Sequence, residues 1–471
     1  MTTMGQHTVE KIGGTSMTRF GELMNNILIG SRTGAELYNR IFVVSAYGGI
    51  TNLLLEDKKT GEPGIYGSFA AGKNREWQEK LEATRNKMLE LNHSFEDLKL
   101  DLKKADAFVN ERMDGIKNCL LHLMHLRSFG HFQPGNYLPA ARELLSSVGE
   151  AHSAFNSALI LQQHGVNAVF IDLSGWKDQE TGSMEDTIRH NLKDINFAEC
   201  MPIVTGYAKC AEGVMAKFDR GYSEITFSKI AVVTDAREGI IHKEFHLSTG
   251  DPKLMGVDKV RTIGHTNFDI ADQLADMAME AIHPQASKEM ERHGIAIRVD
   301  NAFDPGHPGT LISQDFVSPV PKVDMICGRK DIIAVEIFDT EMVGASGYDY
   351  KVLESFARNK ISYIAKNTNA NTITHYVSER YKNLDICLNE LRQTFPKAQI
   401  STRAVAIVSV IGSNMKIPGF LSRAAAALAD ANINILALDQ CMRQVNMQFI
   451  IAREHFAEAQ KALHAELVEK Q

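Results

Sequence analysis

Lys11, Gly13, Gly14, Thr15 and Ser16 stand in the order K-x-G-G-T-S, directly after a short β-type run from Thr8 to Ile12. That order suits an anion. Glycines let backbone N–H groups come close to a phosphate, and a helix beginning there adds the positive end of its dipole. Lys11 supplies a point charge and Ser16 a hydroxyl. It is not a Walker loop, because G-x-x-x-x-G-K-[ST] occurs nowhere in the chain. Taken alone, the same residues fit a tight turn after an edge strand equally well. A second strand end has the same character: Val43-Val44 runs into Ser45-Ala46-Tyr47-Gly48-Gly49-Ile50-Thr51-Asn52. Ligands of open α/β sheets bind beyond the carboxyl ends of strands, so two such ends in one domain point to a pocket.

Elements must hold these residues in place. Residues 40–46 read as a buried strand, because Ile41, Phe42, Val43 and Val44 are continuously apolar, as in parallel strands covered on both faces. Similar runs at 167–173, 201–204 and 230–234 read as further strands, with helical patterns between them. Alternation of this kind predicts an α/β fold with a mainly parallel sheet sandwiched by helices. From about 54 to 130 the chain is charged and helix-prone, for example over 77–91 and 95–109, which predicts a helical insertion with solvated faces. Pro319 and Pro321 mark a linker within 315–323.

Beyond the linker a βαββα pattern occurs twice. The first unit has strands at 331–337, 361–365 and 372–378, with helices at 348–358 and 381–395. The second has strands at 405–411, 433–438 and 444–452, with helices at 419–430 and 456–467. Leu384, Leu388, Leu391 and Phe395 form one apolar stripe, and Phe456, Ala459, Leu463 and Leu467 another. The second unit lacks a closing strand, which 309–313 could supply. The expected domains are 1–314, 322–396 and 397–471.

The 471 residues carry a net charge of −7, which argues against gripping nucleic acid or acidic lipid. Apolar stretches such as 404–412 fall short of the roughly 18–20 residues that cross a bilayer. Residues 1–10 lack a charged region followed by an apolar run. Cys119, Cys200, Cys210, Cys327, Cys387 and Cys441 form no C-x-x-C pair. A protein with no membrane partner, reduced thiols and a cytoplasmic location is expected. His242 with His246, and His122 with His125, have the spacing of metal ligands on a helix. No carboxylate or Cys set completes a site, which favours structural or surface roles. Met442 and Met447 read as core.

The two glycine-bearing strand ends resemble the K-F-G-G-T-S and V-V-S-A-x-G-x-x-T-N signatures of the aspartokinases, in the amino-acid kinase family. The resemblance runs along nearly the whole chain. Ser147-Val148-Gly149-Glu150 resembles S-x-G-E, and Pro202-Ile203-Val204-Thr205-Gly206-Tyr207 resembles P-V-V-T-G-F. Arg220-Gly221-Tyr222-Ser223-Glu224 resembles R-G-G-S-D. Thr234-Asp235 and Thr249-Gly250-Asp251-Pro252-Lys253 resemble parts of a nucleotide segment, and Arg298-Val299, Asn301-Ala302-Phe303 and His307-Pro308-Gly309-Thr310 the close of the catalytic domain. The tandem units resemble a pair of βαββαβ-type ACT domains.

The resemblance implies transfer of the ATP γ-phosphoryl group to the β-carboxylate of L-aspartate. Such a step depends on positioning and charge neutralisation. By resemblance, Lys11, Gly13, Gly14 and Ser16 hold the ATP phosphates, with Mg²⁺ bridging their oxygens and no metal ligands from protein. Thr234, Asp235 and Lys253 would also face the nucleotide. Arg220 would take the substrate α-carboxylate and Glu150 the α-ammonium. Ser45, Thr51, Tyr207 and Ser223 would complete the substrate pocket, and Glu224 would orient Lys11. The ACT pair implies a homo-oligomer and an amino-acid effector at 342–348, 413–419 and 440–446.

The departures are specific. Ile12 replaces a phenylalanine, Glu224 an aspartate and Glu280 a lysine, and the nucleotide segment is lengthened between Gly239 and Asp251. Together with the insertion, they resemble the aspartokinase branch of ectoine biosynthesis. Two other readings remain: a kinase for glutamate or an N-acetylated relative, and an ACT sensor with an idle kinase lobe.

Overall fold

Val9, Ile12, Ile41, Phe42, Val43 and Val44 are at most 1% exposed, as strands covered on both faces must be. The computed structural model describes residues 5–178, 182–218, 221–277, 279 and 281–470. The chain forms two compact units, one of residues 1–246 and 282–314 and the other of residues 247–281 and 315–471.

In the first unit, seven strands lie in the order Ala168–Ile171, Met201–Thr205, Arg40–Val44, Thr8–Ile12, Glu238–Lys243, Ala296–Asn301 and Thr310–Ser313. Neighbours are parallel until the last pair, which is antiparallel. The helix Tyr222–Val233 lies over the central strands, and Leu138–Gln163 lies over Ala168–Ile171, Met201–Thr205 and Arg40–Val44. The run 230–234, read above as a strand, belongs to the helix Tyr222–Val233. Tyr222, Ile225, Phe227, Ile230 and Ala231 are all buried, so the helix shows no polar stripe to distinguish it from a buried strand.

The insertion is helical: Ile65–Ala70, Asn74–His93 and Leu102–Arg127. Asp101 caps the last of these by accepting from the Lys104 backbone N–H at 3.2 Å. Each long helix also buries a stripe, Trp77, Leu81 and Met88 on one, Val109, Met113, Ile116 and Leu120 on the other. Asn92 joins this layer to the helix Leu138–Gln163 through His152 Nε2 at 2.7 Å and Asn156 Nδ2 at 2.7 Å.

The second unit holds six strands in the order Tyr363–Thr368, Thr372–Ser378, Met325–Phe338, Gln399–Ile411, Asn446–Ala452 and Ile435–Asp439, every neighbour antiparallel. Helices Tyr348–Arg358 and Leu384–Thr394 pack Val352, Phe356, Leu388 and Leu391 onto Val335 and Ile337. Helices Phe420–Asp430 and Phe456–His464 pack Phe420, Leu428, Ala459 and Leu463 onto Val408, Val410 and Phe449.

Two expectations are corrected here. Segment 309–313 does not close the second βαββα unit: Thr310–Ser313 pairs with Ala296–Asn301. The missing strand is the first half of Met325–Phe338, where Met325, Ile326, Cys327 and Gly328 pair with Ile411, Val410, Ser409 and Val408. One strand thus serves both ACT-like halves. Residues 247–281, expected within a domain running to 314, pack with the second unit. Asn267 caps the helix Phe268–Asp276, whose Ile270 and Leu274 lie against Met325, Cys327 and Ile450.

Candidate active site

Four parallel strands, Thr8–Ile12, Arg40–Val44, Met201–Thr205 and Glu238–Lys243, end on the same side of the first sheet. Their carboxyl ends run into Gly13-Gly14, Ser45, Gly206-Tyr207 and Glu244. The first two turns touch closely. A Cβ on Gly14 would lie 2.4 Å from the Ala46 carbonyl oxygen, so no larger residue fits there. Gly13 precedes the short helical turn Gly14–Met17, and Ser16 donates from it to Glu244 Oε1 at 3.0 Å.

Lys11 leaves the central strand toward the helix Tyr222–Val233, where its Nζ lies 3.4 Å from Glu224 Oε1. The other Glu224 oxygen accepts the His283 backbone N–H. Burial pushes the Glu224 carboxyl up, but Lys11, Lys243 and the His283 N–H outweigh it and hold it below the usual carboxylate range. Lys11 is therefore held by an ionised partner and kept within reach of the Gly13-Gly14 turn.

Beside this pair lies a second carboxyl. Glu150, on the helix Leu138–Gln163, is 2% exposed and accepts from Ser223 Oγ at 2.6 Å. Ser223 Oγ also receives Ser45 Oγ at 3.3 Å. A Cβ on Gly206 would lie 2.7 Å from Glu150 Oε2, so the strand end must be bare at this point. Burial raises the Glu150 pKa to about 8, against the Ser223 hydrogen bond and the charge of Lys11. A buried carboxyl of this kind ionises readily only when a cation is brought beside it.

The chain thus brings together Lys11, Gly13, Gly14, Ser16, Ser45, Glu150, Ser223 and Glu224. Thr51 lies on the adjoining helix Ile50–Leu54, which Gly49 opens at φ 84°. Tyr207 lies at the end of Met201–Thr205, but its hydroxyl donates to Glu143 Oε2 at 2.7 Å. Burial first, and then Glu143, push that phenol well up, so the hydroxyl keeps its proton and stays bound to Glu143. Arg220 and Glu280 lie outside the described residues. Lys253 belongs to the second unit, in the turn Pro252–Met255.

Thr234 and Asp235 are not at this site. Thr234 Oγ1 meets His7 Nε2 at 2.8 Å, and the Asp235 carbonyl accepts the Gly5 N–H at 2.6 Å. Both contacts lie where Thr8–Ile12 and Glu238–Lys243 begin, at the amino ends of the strands. The residues that occupy the expected place are Lys243 and Glu244, just past the apolar residues Ile240 and Ile241. His242 is on a strand, not a helix, and gives its Nε2 to Glu10 Oε2 at 2.8 Å. Among the described residues, no group of three or more His, Cys, Asp or Glu side chains could hold a metal ion.

A parallel sheet with glycine-bearing turns, a held lysine and a buried carboxyl at its strand ends fits the plan of a small-molecule kinase. The amino acid kinase family pattern matches residues 6–301, and an ACT domain pattern matches 408–467. The chain is 49% identical to aspartate kinase Ask_Ect of Stutzerimonas stutzeri (strain A1501), over 98% of each chain. It is 24% identical to an aspartokinase of Candida albicans, over 99% of this chain and 90% of that one. Among solved structures, E. coli aspartokinase III in complex with aspartate and ADP superposes with a TM-score of 0.71, at 20% identity, covering 98% of this chain and 100% of that one. Clostridium acetobutylicum aspartate kinase gives 0.69 at 18% identity, with the same coverage. The chain belongs to the amino acid kinase family and, within it, to the aspartokinases.

Proposed function

We propose that this aspartokinase transfers the γ-phosphoryl group of ATP to the β-carboxylate of L-aspartate, giving 4-phospho-L-aspartate. The observation that carries the reading is the side-by-side placement of two carboxyls of opposite character at the strand ends. Glu224 is ionised and holds Lys11, and Glu150 is buried with a raised pKa and, among the described residues, no ion pair of its own. The first pair suits phosphoryl charge, and the second suits a substrate ammonium. The nucleophile is already an anion, so the chain needs no strong base. It supplies alignment and neutralisation.

Under this reading Gly13, Gly14, Ser16 and Lys11 bind the phosphates, and Mg²⁺ travels on the phosphate oxygens. Glu150, Ser45, Thr51, Ser223 and Tyr207 shape the amino-acid pocket, and Arg220 takes the α-carboxylate. The likeness to Ask_Ect supports a role in supplying aspartyl phosphate for ectoine synthesis. The second unit would form a homo-oligomer and carry an amino-acid effector, as the ACT match at 408–467 suggests. Among the described residues no helix is long and apolar enough to cross a membrane, which suits the cytoplasmic assignment.

The test is to trap acyl phosphate with hydroxylamine while offering ATP, Mg²⁺ and a panel of amino acids. Hydroxamate with aspartate is expected. A signal with glutamate alone would transfer the reading to a glutamate-type kinase, and no signal with any amino acid would favour the sensor.

A further inference from the structure

Lys243 ends the strand Glu238–Lys243, which pairs in parallel with Thr8–Ile12. In that register Lys11 stands opposite Ile241. Lys243 is two residues further on, so it projects from the same face, one pleat repeat of about 6.6 Å closer to the ligand end. The face is fixed independently. A Cβ on Gly239, four residues earlier and of the same parity, would lie 2.7 Å from Phe227 Cζ of the helix Tyr222–Val233. Glu224 extends from that helix to Lys11. The opposite face carries His242, bound to Glu10, and Glu10 is in turn bound to Arg40. Lys243 is only half-buried, and the next residue, Glu244, is tied to Ser16 of the phosphate turn.

The geometry points to Lys243 as a second phosphate-binding cation of the site, working beside Lys11 on the transferring phosphoryl group. Glu224, whose carboxyl feels both lysines, keeps the two ammonium groups from repelling each other apart. In the transfer, a bond forms between Pγ and a β-carboxylate oxygen of the amino acid. The bond from Pγ to the β–γ bridging oxygen breaks, and its electron pair leaves with ADP. No proton is needed. Negative charge moves from the carboxylate toward the ADP phosphates, and a cation at the end of Glu238–Lys243 meets it there.

The inference rests on the kinase reading for the acceptor, but nucleotide binding tests it separately. Lys243→Met, Lys243→Gln and Lys243→Arg are compared with the unchanged protein by ADP calorimetry, thermal melting and hydroxamate formation. In a folded Lys243→Met or Lys243→Gln protein, kcat should fall about 10²-fold or more. ADP affinity should fall about tenfold, aspartate KM should change less than about twofold, and Lys243→Arg should recover part of both losses. A folded Lys243→Gln or Lys243→Met protein with kcat and ADP affinity within about twofold of the parent overturns the inference. If the parent makes no hydroxamate with aspartate, the aspartokinase reaction fails instead, and the ADP comparison still decides the role of Lys243.

Discussion

Glu150 Oε1 accepts a 2.6 Å hydrogen bond from Ser223 Oγ, and the residue next to that serine, Glu224, is the partner of Lys11. Two neighbouring helix positions thus serve the two halves of the site. Ser223 touches the carboxyl assigned to the amino acid, and Glu224 the lysine assigned to the phosphates. On the proposed reading, the pair would couple acceptor and donor positions through the first turn of one helix, as in-line transfer requires.

If Glu150 takes the substrate ammonium, aspartate binding should depend on pH. Its pKa is about 8 because it is buried, so at pH 7 most of the free enzyme carries it protonated. An ammonium binds the ionised form, so binding releases a proton and aspartate KM should fall as pH rises toward 8. Above 8 the gain should stop. Glu150→Gln should raise KM by about 10–100-fold, as loss of a buried charge partner does, and should flatten the pH profile. A parent profile flat between pH 6 and 8.5 would remove Glu150 from the ammonium site.

Glu224 spans two donors, Lys11 Nζ and the His283 N–H. Aspartate at this position would be one methylene shorter, so keeping both contacts would draw Lys11 Nζ away from its present place. Glu224→Asp should therefore lower kcat by about 10–100-fold with ATP KM less affected, since misplacement of about 1 Å costs on that order. Activity equal to the parent in the folded variant would show that the pair is not a matched one.

Much of the site was readable because three strand ends carry their own punctuation. Val43-Val44 runs straight into Ser45, Val204-Thr205 into Gly206, and Ile12 into Gly13. The fourth end was missed for a physical reason. Most of helix Tyr222–Val233 is buried and its last turn is apolar, so its end at Thr234-Asp235 has the pattern of a strand end and masks the one at Lys243-Glu244. The long strand Met325–Phe338 was half-hidden because Arg329, Lys330 and Asp331 interrupt its apolar pattern where it passes from one half-sheet to the other. Tyr207 and Glu143 are 64 residues apart, so their hydrogen bond could not be read from local sequence.

The first sheet contains a buried charge network that should govern acid stability. Glu10 is 2% exposed and accepts Arg40 Nε at 2.7 Å, Arg40 Nη2 at 2.9 Å and His242 Nε2 at 2.8 Å. Burial pushes its carboxyl up, but Arg40 and His242 hold it well below the usual carboxylate range. A depressed carboxylate stabilises the fold above its unfolded pKa of about 4.3 and loses that contribution as pH falls. Glu10→Gln would leave Arg40 buried without its counter-charge, at about 3–5 kcal/mol. Melting curves should show the largest gap between variant and parent near pH 7, narrowing below pH 4. A constant gap across that range would mean that the loss comes from packing.

The last prediction concerns where the chain can be cut. The linker with Pro319 and Pro321 suggests that a protein ending at Ser318 would be a free-standing kinase domain. The packing opposes this. Ile263, Ile270, Leu274 and Met277 are each at most 3% exposed, and they lie against Met325, Cys327, Ile332, Ile407 and Ile450, all beyond the cut. Removing those partners would expose four large apolar side chains, each worth about 1.5–3 kcal/mol when buried. The shortened protein should therefore aggregate or bind a hydrophobic dye, whereas the full chain should not. Leu274→Ala in the full chain tests the same contact without a cut, and should cost about 2–5 kcal/mol in denaturant unfolding. A soluble, dye-silent protein ending at Ser318, together with a Leu274→Ala cost below about 1 kcal/mol, would show that residues 247–281 do not depend on the second sheet for their burial.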